Sequence, residues 1–167
     1  MTSTPADPSA RWLTPDQQTA WRGLLRMQAQ IGARLSRQLT TDSGLSLQDY
    51  SVLVALDEAP EGRLRAHDLG KELGWEKSRL SHHTTRMQAR GLVERRPCPS
   101  DQRGLFITIT TAGRQTLEAA AVGHVEEVRQ SLIDRLSPEH ITALNQIATA
   151  VLAGLDSSDD DHDGGGR

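Results

Sequence analysis

The sequence predicts a mainly α-helical fold with one small β-hairpin. Apolar residues recur every three or four positions over most of the chain, whereas strand-like alternation appears clearly only at residues 105–109. Of the 167 residues, 36% are hydrophobic but only 3% are aromatic, so the core must be modest and mostly aliphatic. A modest core in a long helical chain indicates that some apolar surface is buried against a second copy.

The first long helix is expected after a flexible arm formed by residues 1–11, which are rich in proline, serine and threonine. Thr14, Pro15 and Gln17 have the pattern of a helix start: a cap, proline at the first position and a reciprocal partner. The helix is predicted to end near Leu39. Its apolar stripe predicts packing against other helices and comprises Trp21, Leu24, Leu25, Ile31, Leu35 and Leu39.

A second helix is predicted after a loop at residues 40–44. Ser46 and Asp49 have the spacing of a capping box at its start. Proline and glycine within residues 58–62 should end it. Residues 63–65 are then expected to form a small strand that adds to the later hairpin.

Two short helices separated by a turn are predicted next, at residues 66–74 and 77–90. Leu69 and Leu73 share one face of the first helix, and Gly74 can adopt the left-handed conformation that ends it. In the second helix, Leu80, Thr84 and Met87 are expected to face inward. Short polar side chains should then face outward together, namely Ser78, Ser81, His82 and Thr85.

The hairpin is predicted from strands at residues 92–96 and 105–109. Residues 97–104 contain two prolines and a glycine, which favour a polar tip over a central strand. Arg103 is expected at that tip. Asp101 should project to the same side and hold the guanidinium by a charge-assisted pair.

Two further helices follow the hairpin. Thr110 is expected to cap the first, whose apolar residues recur at three or four positions up to Leu136. Ser137 and Pro138 should start the second, which extends to about Leu155. With the first helix of the chain, these two amphipathic helices are typical of a dimerisation bundle.

The order of these motifs resembles the winged helix-turn-helix of the MarR family of bacterial transcription regulators. The resemblance covers residues 13–155, with a departure at Thr111, where the family often has proline. It implies a homodimer with interlocked terminal helices and one winged domain per subunit. The matching residues are Ser78-Arg79-Leu80-Ser81-His82, Arg90-Gly91-Leu92-Val93, Asp101-x-Arg103 and Thr110-Thr111-Ala112-Gly113.

These expectations divide the chain into five parts. Residues 1–11 form the arm, residues 12–62 the first dimerisation and scaffold helices, and residues 63–110 the winged helix-turn-helix domain. Residues 111–155 form the remaining dimerisation helices. Residues 156–167 are acidic, rich in glycine and poor in apolar side chains, so they are expected to be a disordered tail.

The charge distribution favours a nucleic-acid partner despite a net charge of −3. Residues 63–104 contain ten Lys or Arg against five Asp or Glu, a net of +5, whereas residues 156–167 contain five Asp and one Arg, a net of −4. Positive charge is therefore concentrated in the winged segment. We expect DNA contacts from Lys77, Ser78, Arg79, Ser81, His82, Thr85, Arg86, Asp101 and Arg103.

The predicted function is that of a homodimeric, sequence-specific DNA-binding regulator, acting as a repressor on a pseudo-palindromic operator. The family resemblance implies a small aromatic or phenolic effector, for which Trp21 and Tyr50 are candidates, against the alternative that they only pack. Cys98 lies near several arginines and is a weak candidate for an oxidant sensor, against the alternative of a small buried side chain.

Other functional classes are less favoured by the sequence. A dimer that binds a ligand without an operator remains an alternative, which the basic recognition face argues against. The histidine spacing does not predict a metal site. The sequence contains neither a glycine-rich phosphate loop nor a nucleophile elbow, so neither an enzyme nor a bound cofactor is expected. No apolar run reaches membrane-spanning length and no signal-peptide core is present, so a cytoplasmic location is expected.

Overall fold

The computed structural model of the protein describes the backbone of residues 11–98 and 101–160, and the side chains of residues 11–97 and 104–155. Within these residues the fold is mainly helical with a small sheet, as the sequence predicted. The α-helices are α1 (Pro15–Ser43), α2 (Leu47–Glu58), α3 (Ala66–Leu73), α4 (Lys77–Ala89), α5 (Thr111–Ser131) and α6 (Pro138–Asp160). The strands are β1 (Arg63–Arg65), β2 (Val93–Cys98) and β3 (Asp101–Ile109), and short 3-10 turns occupy Pro60–Gly62 and Ile133–Arg135.

The three strands form an antiparallel sheet in the order β1-β3-β2. The prediction that residues 63–65 add to the hairpin is confirmed, since Leu64 pairs with Ile107 of the central strand. The predicted polar tip at residues 97–104 is wrong in extent, because the strands continue to Cys98 and restart at Asp101. Pro97 is tolerated because β2 is an edge strand, in which alternate N–H groups point away from the sheet and pair with no strand.

The pairing register changes near the end of the hairpin. Pro97 lies opposite Leu105, whereas Cys98 lies opposite Asp101, so residues 102–104 form a bulge on β3. This irregularity interrupts the regular pairing between the base and the end of the β2–β3 hairpin, which is called the wing from here on.

The end of α1 differs from the prediction. The expected loop at residues 40–44 is wrong, because the helix continues to Ser43 and ends at Gly44, which has φ 66°. Thr and Ser are modest helix formers, but their hydroxyl groups bond back to the helix: Thr40 donates to the Ser36 carbonyl at 2.8 Å and Ser43 to that of Leu39 at 2.7 Å. Burial of Leu39 and Leu45 on either side holds this extra turn in place.

The two predicted capping boxes are both present. The Thr14 side chain accepts a hydrogen bond from the Gln17 N–H, and the Gln17 side chain accepts one from the Thr14 N–H. Ser46 and Asp49 make the same reciprocal pair at the start of α2. These bonds satisfy amides that a helix start otherwise leaves without partners, so both helices begin where the sequence indicates.

One apolar core joins the helix-turn-helix to the base of the sheet. It is aliphatic, as the composition required, and draws on the end of α1, on α2 to α4, on the sheet and on the first half of α5. Because α4 contributes its inner face to this core, its outer face has a fixed orientation. The buried members include Leu39, Leu45, Val52, Leu53, Leu56, Leu69, Leu80, Met87, Leu92, Val93, Ile107, Ile109 and Leu117.

The C-terminal helices depart from the prediction in two places. The apolar stripe was expected to continue helically to Leu136, but α5 ends at Ser131 and a 3-10 turn follows. Conversely, α6 continues to Asp160, five residues into the segment predicted to be a disordered tail. Residues 1–10 and 161–167, where the arm and the rest of the tail were expected, lie outside the described residues. Within the described part, no helix is long and apolar enough to cross a bilayer.

Candidate nucleic-acid interface

The two faces of α4 separate as the sequence predicted. Leu80, Thr84 and Met87 are buried against the core. His83 is also buried, although its neighbour His82 is exposed. The outer face presents short polar groups among cations, and its exposed members are Lys77, Ser78, Arg79, Ser81, His82, Thr85 and Arg86.

A buried carboxylate anchors α4 from behind. Asp49 of α2 is only 4% exposed. Its Oδ2 accepts from the Ser46 N–H at 2.9 Å and from Arg90 Nη1 at 2.7 Å, just beyond the end of α4. The other guanidinium nitrogen, Nη2, donates to the Gly44 carbonyl at 2.8 Å. Arg90 therefore ties the end of α4 to both the start of α2 and the end of α1.

The same carboxylate faces His83, whose Nε2 lies 2.9 Å from Asp49 Oδ1. Nε2 forms no well-aligned hydrogen bond among the described residues, so this contact is mainly electrostatic. The other ring nitrogen, Nδ1, lies 3.2 Å from Arg86 Nη2, which donates to it. The tautomer that suits both contacts has its proton on Nε2.

Burial sets the protonation of this histidine. Desolvation lowers the pKa of His83, Asp49 raises it, and the nearby charges of Arg86 and Arg79 lower it again, with a net lowering from 6.5. For Asp49, burial raises the pKa, but hydrogen bonds from the Ser46 backbone, Arg90 and the Ser46 hydroxyl outweigh it, with a net lowering from 3.8. A neutral imidazole beside a carboxylate is therefore the favoured state at neutral pH.

Aromatic contacts support the N-terminal half of α4. Trp75, in the turn between α3 and α4, packs edge-on against His83 with ring centroids 5.1 Å apart. The Arg79 guanidinium lies over the Trp75 ring, 4.5 Å from its centroid. This cation–π contact restrains an exposed arginine without neutralising its charge.

The start of α4 leaves backbone donors available. Its N-cap residue, Glu76, makes no side-chain capping hydrogen bond. The first amide groups of a helix have no partners within the helix, and the helix dipole makes this end attractive to anions. With Lys77 adjacent, the start of α4 has the character of a phosphate contact.

The three-stranded sheet contributes further cations on its outer side. Arg96 pairs with Glu94 at 2.6 Å, and the guanidinium groups of Arg63 and Arg65 lie 5.0 and 5.8 Å from the Phe106 ring centroid. On the inner side, Arg95 Nη2 donates to the Ser81 carbonyl and, at 2.5 Å, to Thr84 Oγ1. Positive groups thus extend from α4 along the sheet.

Three predicted site residues belong to the strands at the end of the wing. The backbones of Cys98, Asp101 and Arg103 lie in β2 and β3. Their side chains fall outside the described residues. The predicted Asp101–Arg103 pair and the sensor role of Cys98 therefore stay predictions.

The structure does not bring the two effector candidates together. Trp21 is exposed near the start of α1, eighteen residues before the core residue Leu39, a separation of about 27 Å along a helix. Tyr50 is half-buried and stacks on His124 of α5, with ring centroids 4.2 Å apart. Tyr50 is the only one of the two that lies between the core and the long helices.

Comparison with known proteins identifies the family. The sequence profile of the MarR family matches residues 43–104 of this chain. The chain is 41% identical to Sco3205, a MarR family transcriptional regulator from Streptomyces coelicolor whose crystal structure is a complex with DNA; the alignment covers 87% of this chain and 92% of that chain, with a TM-score of 0.84. The chain belongs to the MarR family.

Other MarR-family proteins agree with this assignment. AbsC, a MarR family transcriptional regulator from Streptomyces coelicolor, is 39% identical over 89% of this chain and 99% of its own, with a TM-score of 0.83. The multiple antibiotic resistance protein MarR of Escherichia coli strain K12 is 25% identical over 129 residues, covering 77% of this chain and 88% of that protein. The predicted family and the winged fold are thereby confirmed.

Sequence reasoning missed the residues that hold this MarR-type helix in place. Asp49 was identified only as a cap, and His83, Arg90 and Arg95 were not identified as residues that support α4. A signal was present for Arg95, because it occupies an inward position of β2 where alternation would require an apolar residue. A charged residue at such a position needs specific partners.

Proposed function

We propose that this protein is a homodimeric transcription regulator that binds double-stranded DNA and represses by occluding a promoter. The exposed face of α4 is the observation that carries the proposal. It combines hydroxyl, imidazole and guanidinium groups on a helix whose other face is fixed in the core. Such groups read base edges and phosphates in a major groove. The DNA complex of the relative Sco3205 supports the same use of this fold.

In this mechanism each subunit presents one α4 to DNA. The two helices enter successive major grooves about 34 Å apart, and the wings reach flanking minor grooves. Ser81 and His82 contact bases, Lys77, Arg79 and Arg86 contact phosphates, and Arg103 enters the minor groove. A pseudo-palindromic operator follows from the two-fold symmetry of the dimer.

The second copy is proposed to cover the apolar residues left exposed on the terminal helices. Trp21, Leu24 and Leu25 are exposed on α1, and the C-terminal half of α6 exposes further large apolar side chains. Contiguous surface of this kind in a soluble protein is typical of an interface. The α6 members are Ile147, Val151, Leu152 and Leu155.

An effector is proposed to bind where α2 meets α5. Tyr50 and His124 stack there, and His124 Nδ1 is buried without a hydrogen-bond partner among the described residues. Gln38 of α1 packs against Gly123, next to His124, and its buried Oε1 also lacks a described partner. An aromatic ring beside buried acceptors suits a small phenol, whose hydroxyl group would donate to one of them.

The experiment that tests the function is selection from a pool of randomised 30-base-pair duplexes by the purified protein. A DNA-binding regulator should enrich one common two-fold motif, and the enriched duplex should bind at least about a thousand times more tightly than a scrambled one at physiological salt. Enrichment of no motif would favour the alternative of a ligand-binding dimer without an operator. Release of the enriched duplex by peroxide would favour a redox sensor that uses Cys98.

A further inference from the structure

We propose that Arg95 is a positioning residue that locks the wing to the recognition helix, so that helix and wing contact their two grooves as one rigid unit. The inference rests on the proposed function, because it concerns how DNA is read. The inference is based on a different observation from the proposed function, since Arg95 lies on the inner side of the wing and not on the outward face of α4.

The sheet register directs Arg95 toward the helix. Arg95 lies opposite Ile107, and Val93 lies opposite Ile109. Residues paired across an antiparallel ladder project to the same face, and residues two apart on one strand share that face. Since Val93, Ile107 and Ile109 are all buried, the Arg95 side chain starts from the core-facing side of β2.

The guanidinium group finds its partners on α4. Nη2 donates to the Ser81 carbonyl and to Thr84 Oγ1, the latter at 2.5 Å. Thr84 is 1% exposed and donates its own hydroxyl proton to the Leu80 carbonyl at 2.9 Å, so its remaining role toward Arg95 is that of acceptor. Because Thr84 is buried, it acts on DNA only through its neighbours.

Arg95 supplies a second polar attachment between α4 and the wing, in addition to the apolar core that they share. The first is at the C-terminal end of α4, where the Leu92 N–H donates to the Met87 carbonyl at 3.0 Å. Ser81 lies six residues before Met87, which is about 9 Å along the helix. The apolar core and the Leu92–Met87 hydrogen bond hold the base of the wing against the end of α4. The Arg95 contact, farther along the helix axis, adds a restraint on the angle between helix and strand.

A fixed angle has a consequence for DNA recognition. The cost of ordering two contact elements is removed from binding when they are already held in their bound arrangement. Only a duplex that offers the correct bases at the correct distance from a suitable flanking groove then satisfies both contacts. Arg95 should therefore control discrimination between operators more strongly than total affinity for DNA.

The test compares Arg95→Met with Arg96→Met. Both variants lose one wing cation and keep an unbranched stem, but Arg96 is exposed and pairs with Glu94 instead of α4. The probes are the duplex enriched by wild-type protein from the randomised pool and a scrambled duplex of the same composition. Arg95→Met should lower the ratio of the two affinities about tenfold, whereas Arg96→Met should weaken both alike and keep the ratio within about twofold.

Thr84→Val provides a second test, because it keeps the charge of Arg95 and the shape of the buried side chain at position 84. It should lower the ratio about threefold, and Arg95→Met combined with Thr84→Val should resemble Arg95→Met alone, because the two residues make one contact. Hydroxyl-radical footprints should lose protection in the flanking minor grooves with Arg95→Met and keep it with Arg96→Met.

Three results would overturn the inference. The affinity ratio of Arg95→Met could equal that of the wild type, or Arg96→Met could lower the ratio as much as Arg95→Met does. The effects of Arg95→Met and Thr84→Val on the ratio could also be additive. If Arg95→Met does not fold, Thr84→Val decides alone, and an unchanged ratio in that variant overturns it. Failure of the wild type to enrich any motif is a different result, because it contradicts the proposed function itself.

Discussion

At the scale of single residues, the orientation of α4 depends on a few polar side chains behind it. Asp49 connects the start of α2 to His83 and Arg90, and His83 contacts the exposed Arg86. The sequence predicted the local part of this set, the Ser46–Asp49 cap, because its partners are three residues apart. It did not predict the bond from Arg90 to Asp49, which joins residues 41 positions apart and depends on tertiary packing.

His83 makes the stability of the fold depend on pH. Burial is the main cause that lowers its pKa from 6.5, so the unfolded chain takes up a proton more readily than the folded one. The stability that depends on a neutral His83 is fully present above pH 6.5 and is lost as the pH falls through the folded-state pKa. The slope of stability against pH in that window is at most about 1.4 kcal/mol per pH unit for one histidine.

The measurement is denaturant unfolding between pH 7.5 and 5. His83→Gln should lower stability at pH 7.5 and flatten the decline on acidification. His82→Gln is the matched control, since it removes an exposed imidazole at the adjacent position and should leave the decline unchanged. An equally steep decline in His83→Gln and wild type would show that other groups produce it.

At the scale of elements, the sequence predicted helix starts better than helix ends. The Thr14 and Ser46 caps are local patterns, and both helices start at them. The end of α1 was misplaced because residues 40–43 look like a loop by composition, yet hydrogen bonds back to the helix and burial of Leu39 keep them helical. The end of α5 was misplaced because apolar spacing continues past Ser131 where the backbone does not.

The close approach between α5 and the base of the wing gives a prediction at this scale. A Cβ added to Gly113 would lie 2.1 Å from the Leu92 carbonyl oxygen, so α5 can start there only if this position is glycine. The same carbonyl accepts from the Thr110 N–H at 3.1 Å, which leaves it little room to move. Gly113→Ala should therefore lower the free energy of unfolding by more than about 2 kcal/mol.

Chemical denaturation of matched variants checks this expectation. Ala112→Gly, at the exposed neighbouring position, should cost no more than about 1 kcal/mol, the usual helix-propensity difference. A loss of similar size in both variants would mean that helix propensity, and not the contact with Leu92, determines the effect.

At the scale of the whole molecule, the described chain leaves apolar faces uncovered on α1 and α6. The sequence predicted these faces from their spacing, but a single chain does not supply what covers them. Leu152 is 58% exposed and lies among other apolar side chains of α6. Leu152→Glu should therefore shift the proposed dimer toward monomer, because each subunit would bury an unpaired carboxylate in the apolar contact.

Light scattering at micromolar concentration measures this directly. Wild type and Gln146→Glu, which adds the same charge on the opposite side of α6, should both have the mass of two chains. Removal of residues 161–167 should also leave the dimer intact. A monomer mass for the wild type would contradict the proposed assembly, and a dimer mass for Leu152→Glu would contradict the placement of the interface.

The central claim is that α4 reads the bases at inner operator positions, whereas the Arg103 contact supplies affinity that does not depend on those bases. The most direct measurement is a binding series with Ser81→Ala, His82→Ala and Arg103→Ala over single-base variants of the enriched duplex and over salt concentration. The α4 variants should change the preferred base at inner positions by about 1–3 kcal/mol each, whereas Arg103→Ala should weaken all duplexes alike and lower the salt slope by about one unit per wing contact. Unchanged base preference in both α4 variants, together with altered preference at inner positions in Arg103→Ala, would contradict the account.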